Sequence, residues 1–119
     1  MRMIGAGLHR MLDFVTVVGF ALAPTVLSLV GFAATLSYLL AAVHLILTLL
    51  TSFPGGATRL VPLAIHGAIE LVVGVALIAL PWVAGWVGTA RMFYCVAGVV
   101  ILGVWVLSAY RADTPRAAA

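Results

Sequence analysis

Charge is what this sequence has least of. Only 8% of its 119 residues are charged, lysine is absent, and the charged set is six arginines and three acids. A soluble domain needs about 25% charged residues, so a surface facing water on all sides is excluded. Cysteine occurs once, at Cys95, which excludes an internal disulfide and, within an apolar run, makes the thiol a small hydrophobe. Phosphate-binding Walker loops, GxSxG, His-Glu-x-x-His and CxxC are all missing. Their absence argues against a soluble-type active site, and the chain is expected not to be an enzyme. A net charge of +3, dispersed along the chain, gives no basic patch for nucleic acid.

What is present is apolar. Hydrophobic residues make up 66% of the chain, and the mean hydropathy is +1.31. No charged residue occurs from Phe14 to Thr58, from Leu71 to Ala90, or from Met92 to Tyr110. A hydrocarbon core of roughly 30 Å takes about 20 helical residues to cross, and breaks at Gly, Pro and polar residues place crossings near 12–30, 32–50, 60–80 and 90–108. The first run is too long for a cleaved signal, so the N-terminus is read as retained. The expectation is an all-α integral membrane four-helix bundle, one membrane domain over 1–119.

The one turn-rich connection runs from Thr51 to Arg59. Arg2, Arg10, Arg59, Arg111 and Arg116 flank the apolar runs where arginine marks the cytoplasmic side, which puts both termini in the cytoplasm and leaves Arg91 as the dissenting charge. The Ala, Val, Gly and Arg bias fits a GC-rich bacterial gene, hence a bacterial cytoplasmic membrane. Residues 111–119 lack apolar periodicity and are expected to be disordered.

Sliding the chain by 57 positions lays residues 8–52 over 65–109 without a gap. Eleven of the 45 positions are then identical. The matches include His9 on His66, Pro24 on Pro81 and Gly31 on Gly88, with Asp13 falling on Glu70. Each unit holds two crossings, so the copies share one orientation: two tandem helical hairpins in a parallel repeat, about 8–52 and 65–109.

Each unit carries a proline late in its first helix, in the settings Ala23-Pro24-Thr25 and Leu80-Pro81-Trp82-Val83. This resembles the SPW-repeat family of bacterial membrane proteins, whose repeat is two transmembrane helices with a Ser-Pro-Trp motif in the first. Pro81-Trp82 supplies two of the three motif residues, and the serine is absent from both copies. Proline-containing hairpins of the acid-resistance membrane protein type are also similar. Neither resemblance implies a catalytic residue. On physical grounds, Pro24 and Pro81 end their helices at the hairpin turns, and Trp82 and Trp86 anchor at the outer interface with Arg91 snorkelling beside them.

The polar residues within the apolar runs carry the functional question. His9-x-x-x-Asp13 and His66-x-x-x-Glu70 each put an imidazole and a carboxylate on one helix face. Two readings follow. In one, each pair sits at the cytoplasmic interface and bonds locally or to Arg10 and Arg59. In the other, the repeats pack about a pseudo-two-fold axis and the pairs converge as a proton path or a divalent-metal site of His9, Asp13, His66 and Glu70. His44, whose repeat mate is Ile101, bonds a neighbouring helix, joins the cluster, or pairs with His9 or His66 as a haem b site. Gly74, Gly98, Gly103, Ala41 and Ala42 suit close helix packing, and Thr35, Ser37, Thr48 and Ser108 suit bonds between helices.

The expected role is a small membrane subunit or interaction protein without catalysis or cofactor, in a homo-oligomer or larger membrane complex. The alternatives are a transporter-like oligomer for protons, ions or small solutes, and a metal- or haem-binding protein.

Overall fold

The computed structural model describes residues 4–51 and 60–108. The tail, most of the middle connection, and Arg2, Arg59, Arg111 and Arg116 lie outside the described residues, as do the expectations resting on them. Four helices follow in order: α1 Ala6–Val26, α2 Gly31–Leu50, α3 Leu63–Ala84 and α4 Gly88–Leu107. Each is 20 to 22 residues long, or about 30 Å at helical rise, and all four are long and apolar enough to cross a membrane. The protein is an all-α, multi-pass membrane four-helix bundle.

Its outer surface is what lipid requires. Val26, Val30 and Val83 are 71%, 79% and 84% exposed, and large aliphatic side chains cover the lipid-facing sides of all four helices. The core is thin by comparison, a strip of Phe20, Ala33, Ala41, Leu77, Tyr94 and Ile101. Two buried hydroxyls tie helices across it: Ser37 donates to the Phe20 carbonyl at 2.6 Å and Tyr94 to the Ala33 carbonyl at 2.6 Å. Residues 37 and 94 are repeat mates, so one bond occurs in each hairpin's second helix, reaching a different partner.

Helix α1 begins at Ala6, six residues earlier than the sequence pattern suggests, because burial of His9 and Asp13 draws the first two turns into the bundle. The prolines also differ from expectation. Pro24 and Pro81 lie inside their helices, which continue to Val26 and Ala84. Their carbonyls accept from the hairpin turns, Leu29 N–H to Pro24 at 3.0 Å and Trp86 N–H to Pro81 at 2.8 Å. Each proline therefore shapes the turn through its own carbonyl rather than by stopping the helix.

At the opposite end of the bundle the two repeats hold each other. Ile4 N–H donates to the Leu107 carbonyl at 2.9 Å, and Val61 N–H donates to the Leu50 carbonyl at 2.8 Å. These pairs correspond under the 57-residue shift. The segment entering each repeat's first helix is thus pinned to the end of the other repeat's second helix.

Gly74 and Gly98 let α3 and α4 approach through their backbones. A Cβ on Gly98 would lie 2.7 Å from the Gly74 carbonyl oxygen and 2.6 Å from Ile78 Cγ1. Gly103 and Ala42, grouped with them on sequence, instead face outward, and Thr35 is exposed.

Two substitutions test this packing by thermal unfolding in detergent. Gly98→Ala should destabilise by about 1–3 kcal/mol, since backbone oxygen cannot yield as a flexible side chain does. Ser28 has a left-handed φ of 56° where its repeat mate Gly85 has 74°, so Ser28→Gly should stabilise by roughly 0.5–1 kcal/mol.

Candidate metal centre

Residues four apart on a helix share a face, and the first turns of α1 and α3 lie at the same end of the bundle. His9 and Asp13 on α1 therefore meet His66 and Glu70 on α3, within the first two to three turns of each helix. All four are at most 3% exposed. His44, from the last two turns of α2, reaches the same point. Each histidine pairs with the acid of its own helix, and the two pairs also converge inside the bundle.

The contacts follow the two-fold. Within each helix, His9 Nε2 lies 3.2 Å from Asp13 Oδ1 and His66 Nε2 3.3 Å from Glu70 Oε2. Between helices, His9 Nε2 lies 3.0 Å from Glu70 Oε1 and His66 Nε2 2.9 Å from Asp13 Oδ2. His44 Nε2 is 3.4 Å from Asp13 Oδ1 and 3.7 Å from Glu70 Oε2. All three imidazoles thus turn Nε2 towards the two carboxylates.

The outer shell fixes which nitrogens carry hydrogen. Ser108 Oγ donates its single proton to the Val104 carbonyl at 2.6 Å, so it must accept from His9 Nδ1, 2.7 Å away. Thr51 Oγ1 donates to the Leu47 carbonyl at 2.6 Å and accepts from His66 Nδ1 at 2.7 Å. With hydrogen held on Nδ1, Nε2 is the nitrogen that faces the carboxylates: an imidazolium would donate to them from it, and a neutral ring would direct its lone pair there, as in a metal-ligating histidine oriented by its other nitrogen. Thr51 and Ser108 are repeat mates, and each sits where the entering segment of the other repeat is pinned.

Lone pair facing carboxylate at about 3 Å is repulsive unless positive charge lies between them. Asp13 Oδ2 has no hydrogen-bond partner among the described residues, although His66 Nε2 is 2.9 Å away, and His44 Nε2 has none either. Ligand atoms of His9, Asp13, His66 and Glu70 all lie within 4.8 Å of one another. At metal–ligand bonds of about 2.1 Å, neighbouring ligands are about 3.0 Å apart in an octahedron and about 3.4 Å apart in a tetrahedron. The four nitrogen–oxygen distances of His9 and His66, 2.9 to 3.3 Å, lie close to those spacings, and the two of His44 are longer, at 3.4 and 3.7 Å.

Haem does not fit. Carboxylate oxygens stand against Nε2 of all three histidines, where an axial ligand needs the macrocycle's iron. Nor do the other singled-out residues join the site. Trp82 is 61% exposed at the far end, with the Arg91 guanidinium 4.0 Å above its ring. Arg91 Nε also donates to the Trp86 carbonyl at 3.1 Å. Trp86 itself packs inward on Tyr94, with ring centroids 5.0 Å apart. The outer-shell role of Thr51 is hidden in the sequence because the residue falls at the edge of a turn-rich stretch. Its register with Ser108 is the signal that could have found it.

Comparison with known proteins gives no match: no family model, curated protein or solved structure aligns with this chain.

His66→Ala should cost about 3–5 kcal/mol by removing the buried imidazole that faces both carboxylates and with it the positive charge or ion held between them, and removing Asp13 as well should restore part of it. Thermal unfolding of the two single variants and the double variant in one detergent measures the coupling.

Proposed function

We propose that the protein is a membrane-embedded binding protein for one divalent metal ion, held between its two repeats, with no catalysis of its own. The observation that carries this reading is the convergence of imidazole nitrogens and carboxylate oxygens at coordination spacing, with Asp13 Oδ2 off any hydrogen-bond line.

Charge balance supports it. Two buried carboxylates present two negative charges to a medium that tolerates none. Two protons, on His9 and His66, would neutralise them too, but would leave Asp13 Oδ2 off a hydrogen-bond line and His44 Nε2 without a hydrogen-bond partner among the described residues. One divalent cation neutralises both acids and is within reach of His9, Asp13, His66 and Glu70 together. Oriented Nδ1–H groups on His9 and His66 are the outer-shell arrangement such an ion needs.

The arginine distribution supports a bacterial cytoplasmic membrane with both termini inside, which would put the centre near the cytoplasmic end. The hairpin repeat and Pro81-Trp82 support kinship with the SPW-repeat proteins.

The test is zinc titration of chelator-treated, full-length protein in mild detergent, read by elemental analysis and thermal unfolding. One ion per chain is expected, with stability rising by about 2.7 kcal/mol at a free concentration 100 times Kd. Asp13→Asn combined with Glu70→Gln should abolish both effects while the fold persists. Wild-type protein that binds no ion and shows no shift would overturn the reading, leaving a cluster held by protons for packing or proton passage.

A further inference from the structure

Four of the five side chains of the cluster obey the two-fold, and one does not. His9 and Asp13 are mirrored by His66 and Glu70, and Ser108 by Thr51, but the repeat mate of His44 is Ile101. Ile101 is a core residue, 5% exposed. At that position a bundle needs only an apolar side chain, and the second repeat supplies one.

His44 is placed at a cost that packing does not explain. It is 9% exposed, and its Nε2 has no hydrogen-bond partner among the described residues. A buried polar atom in that condition is destabilising unless something completes it. The nitrogen is directed at the cluster, against one oxygen of each repeat's carboxylate. Its ring centroid is 6.1 Å from that of His66, edge to face, so the two imidazoles approach the centre from different sides.

Resting on the metal-centre reading, we infer that His44 is a fifth ligand, and that it makes the centre a three-nitrogen, two-carboxylate site for a borderline transition ion of the zinc class rather than magnesium or calcium. His44 stands just outside the four residues whose ligand atoms lie within 4.8 Å of one another, so its ring moves inward on binding to complete five-coordination. A trigonal bipyramid with bonds of about 2.1 Å has edges of about 3.0 to 3.6 Å. The shortest contacts here belong to the two-fold set and the longest to His44.

Ligand chemistry gives the ion class. Magnesium keeps an oxygen shell with several waters, and calcium takes six to eight oxygens. Three imidazoles in a dry bundle offer neither. Imidazole suits zinc, iron, nickel and copper, and affinity among divalent ions rises along the series towards copper. Two carboxylates against a doubly charged ion leave a neutral centre, as a site inside a bilayer requires. The two-fold set alone would make a four-coordinate centre with two imidazoles, so His44 sets both coordination number and nitrogen count.

Cobalt(II) is the probe, added to chelator-treated, full-length protein, because its visible absorption distinguishes four- from five-coordination. The wild type should bind one cobalt with the weaker bands of a five-coordinate ion, displaced by zinc but not by magnesium or calcium in about a hundredfold excess. His44→Ile, which installs the residue of the second repeat, should still bind one cobalt. Its bands should shift to the stronger four-coordinate pattern, and its affinity should fall at least about tenfold. His44→Gln, which keeps a polar group of similar reach, should change spectrum and affinity in the same direction and guards against a folding defect in the first variant. Unchanged spectrum and affinity in both variants would remove His44 from the ligand set while leaving the metal centre standing. Displacement of cobalt by magnesium or calcium would overturn the ion class. Failure of wild-type protein to bind cobalt or zinc at all would overturn the metal centre itself.

Discussion

Two carboxylates buried inside a lipid-facing bundle are the constraint on which the rest of this structure depends. Carboxylate charge in a low-dielectric interior costs several kcal/mol per group unless it is compensated. Here the compensation comes from both hairpins at once. Asp13 is faced by His66 from the other repeat and Glu70 by His9, so the polar centre around each acid is complete only when both repeats are together. In lipid, apolar contacts do not drive helices together as they do in water. The thin apolar strip between the hairpins is therefore supplemented by polar bonds, which become the reason the two halves associate in this register.

Duplication explains how the site is built with few residue types. The same hydroxyl, imidazole and acid recur after 57 positions, and the backbone bonds at Ile4 and Val61 recur with them. Each hydroxyl that orients a histidine belongs to the other repeat and sits at the pinned end of its second helix. Symmetry then fails at a few places, each with a physical consequence. Val17 and Ala41 stand where Gly74 and Gly98 bring α3 and α4 into backbone contact. Ser28 takes a left-handed turn that Gly85 takes without strain. His44 replaces an apolar core residue and points a nitrogen at the centre.

Much of this is legible in the sequence. Uninterrupted apolar runs require membrane helices, and the repeat at 57 positions by itself makes His9 the counterpart of His66 and Asp13 that of Glu70. Depth is harder to read. Counting from the hairpin apex sets His9 and Asp13 near the end of the first crossing, and they do lie in the first turns of α1, but that count says nothing of their burial between the helices. Participation of His44 stays open on sequence because hydropathy periodicity fixes a residue's face only approximately, and a cluster is decided within an ångström or two. The hydroxyl of Thr51 is hidden for another reason: it ends a helix, where turn chemistry and site chemistry use the same residue types.

X-ray absorption at the zinc edge of the loaded, full-length protein tests the central claim most directly. The account requires five light-atom neighbours at about 2.0–2.2 Å, with the outer-shell scattering of three imidazoles. A shell of oxygen alone, or zinc with no imidazole scattering, would contradict it.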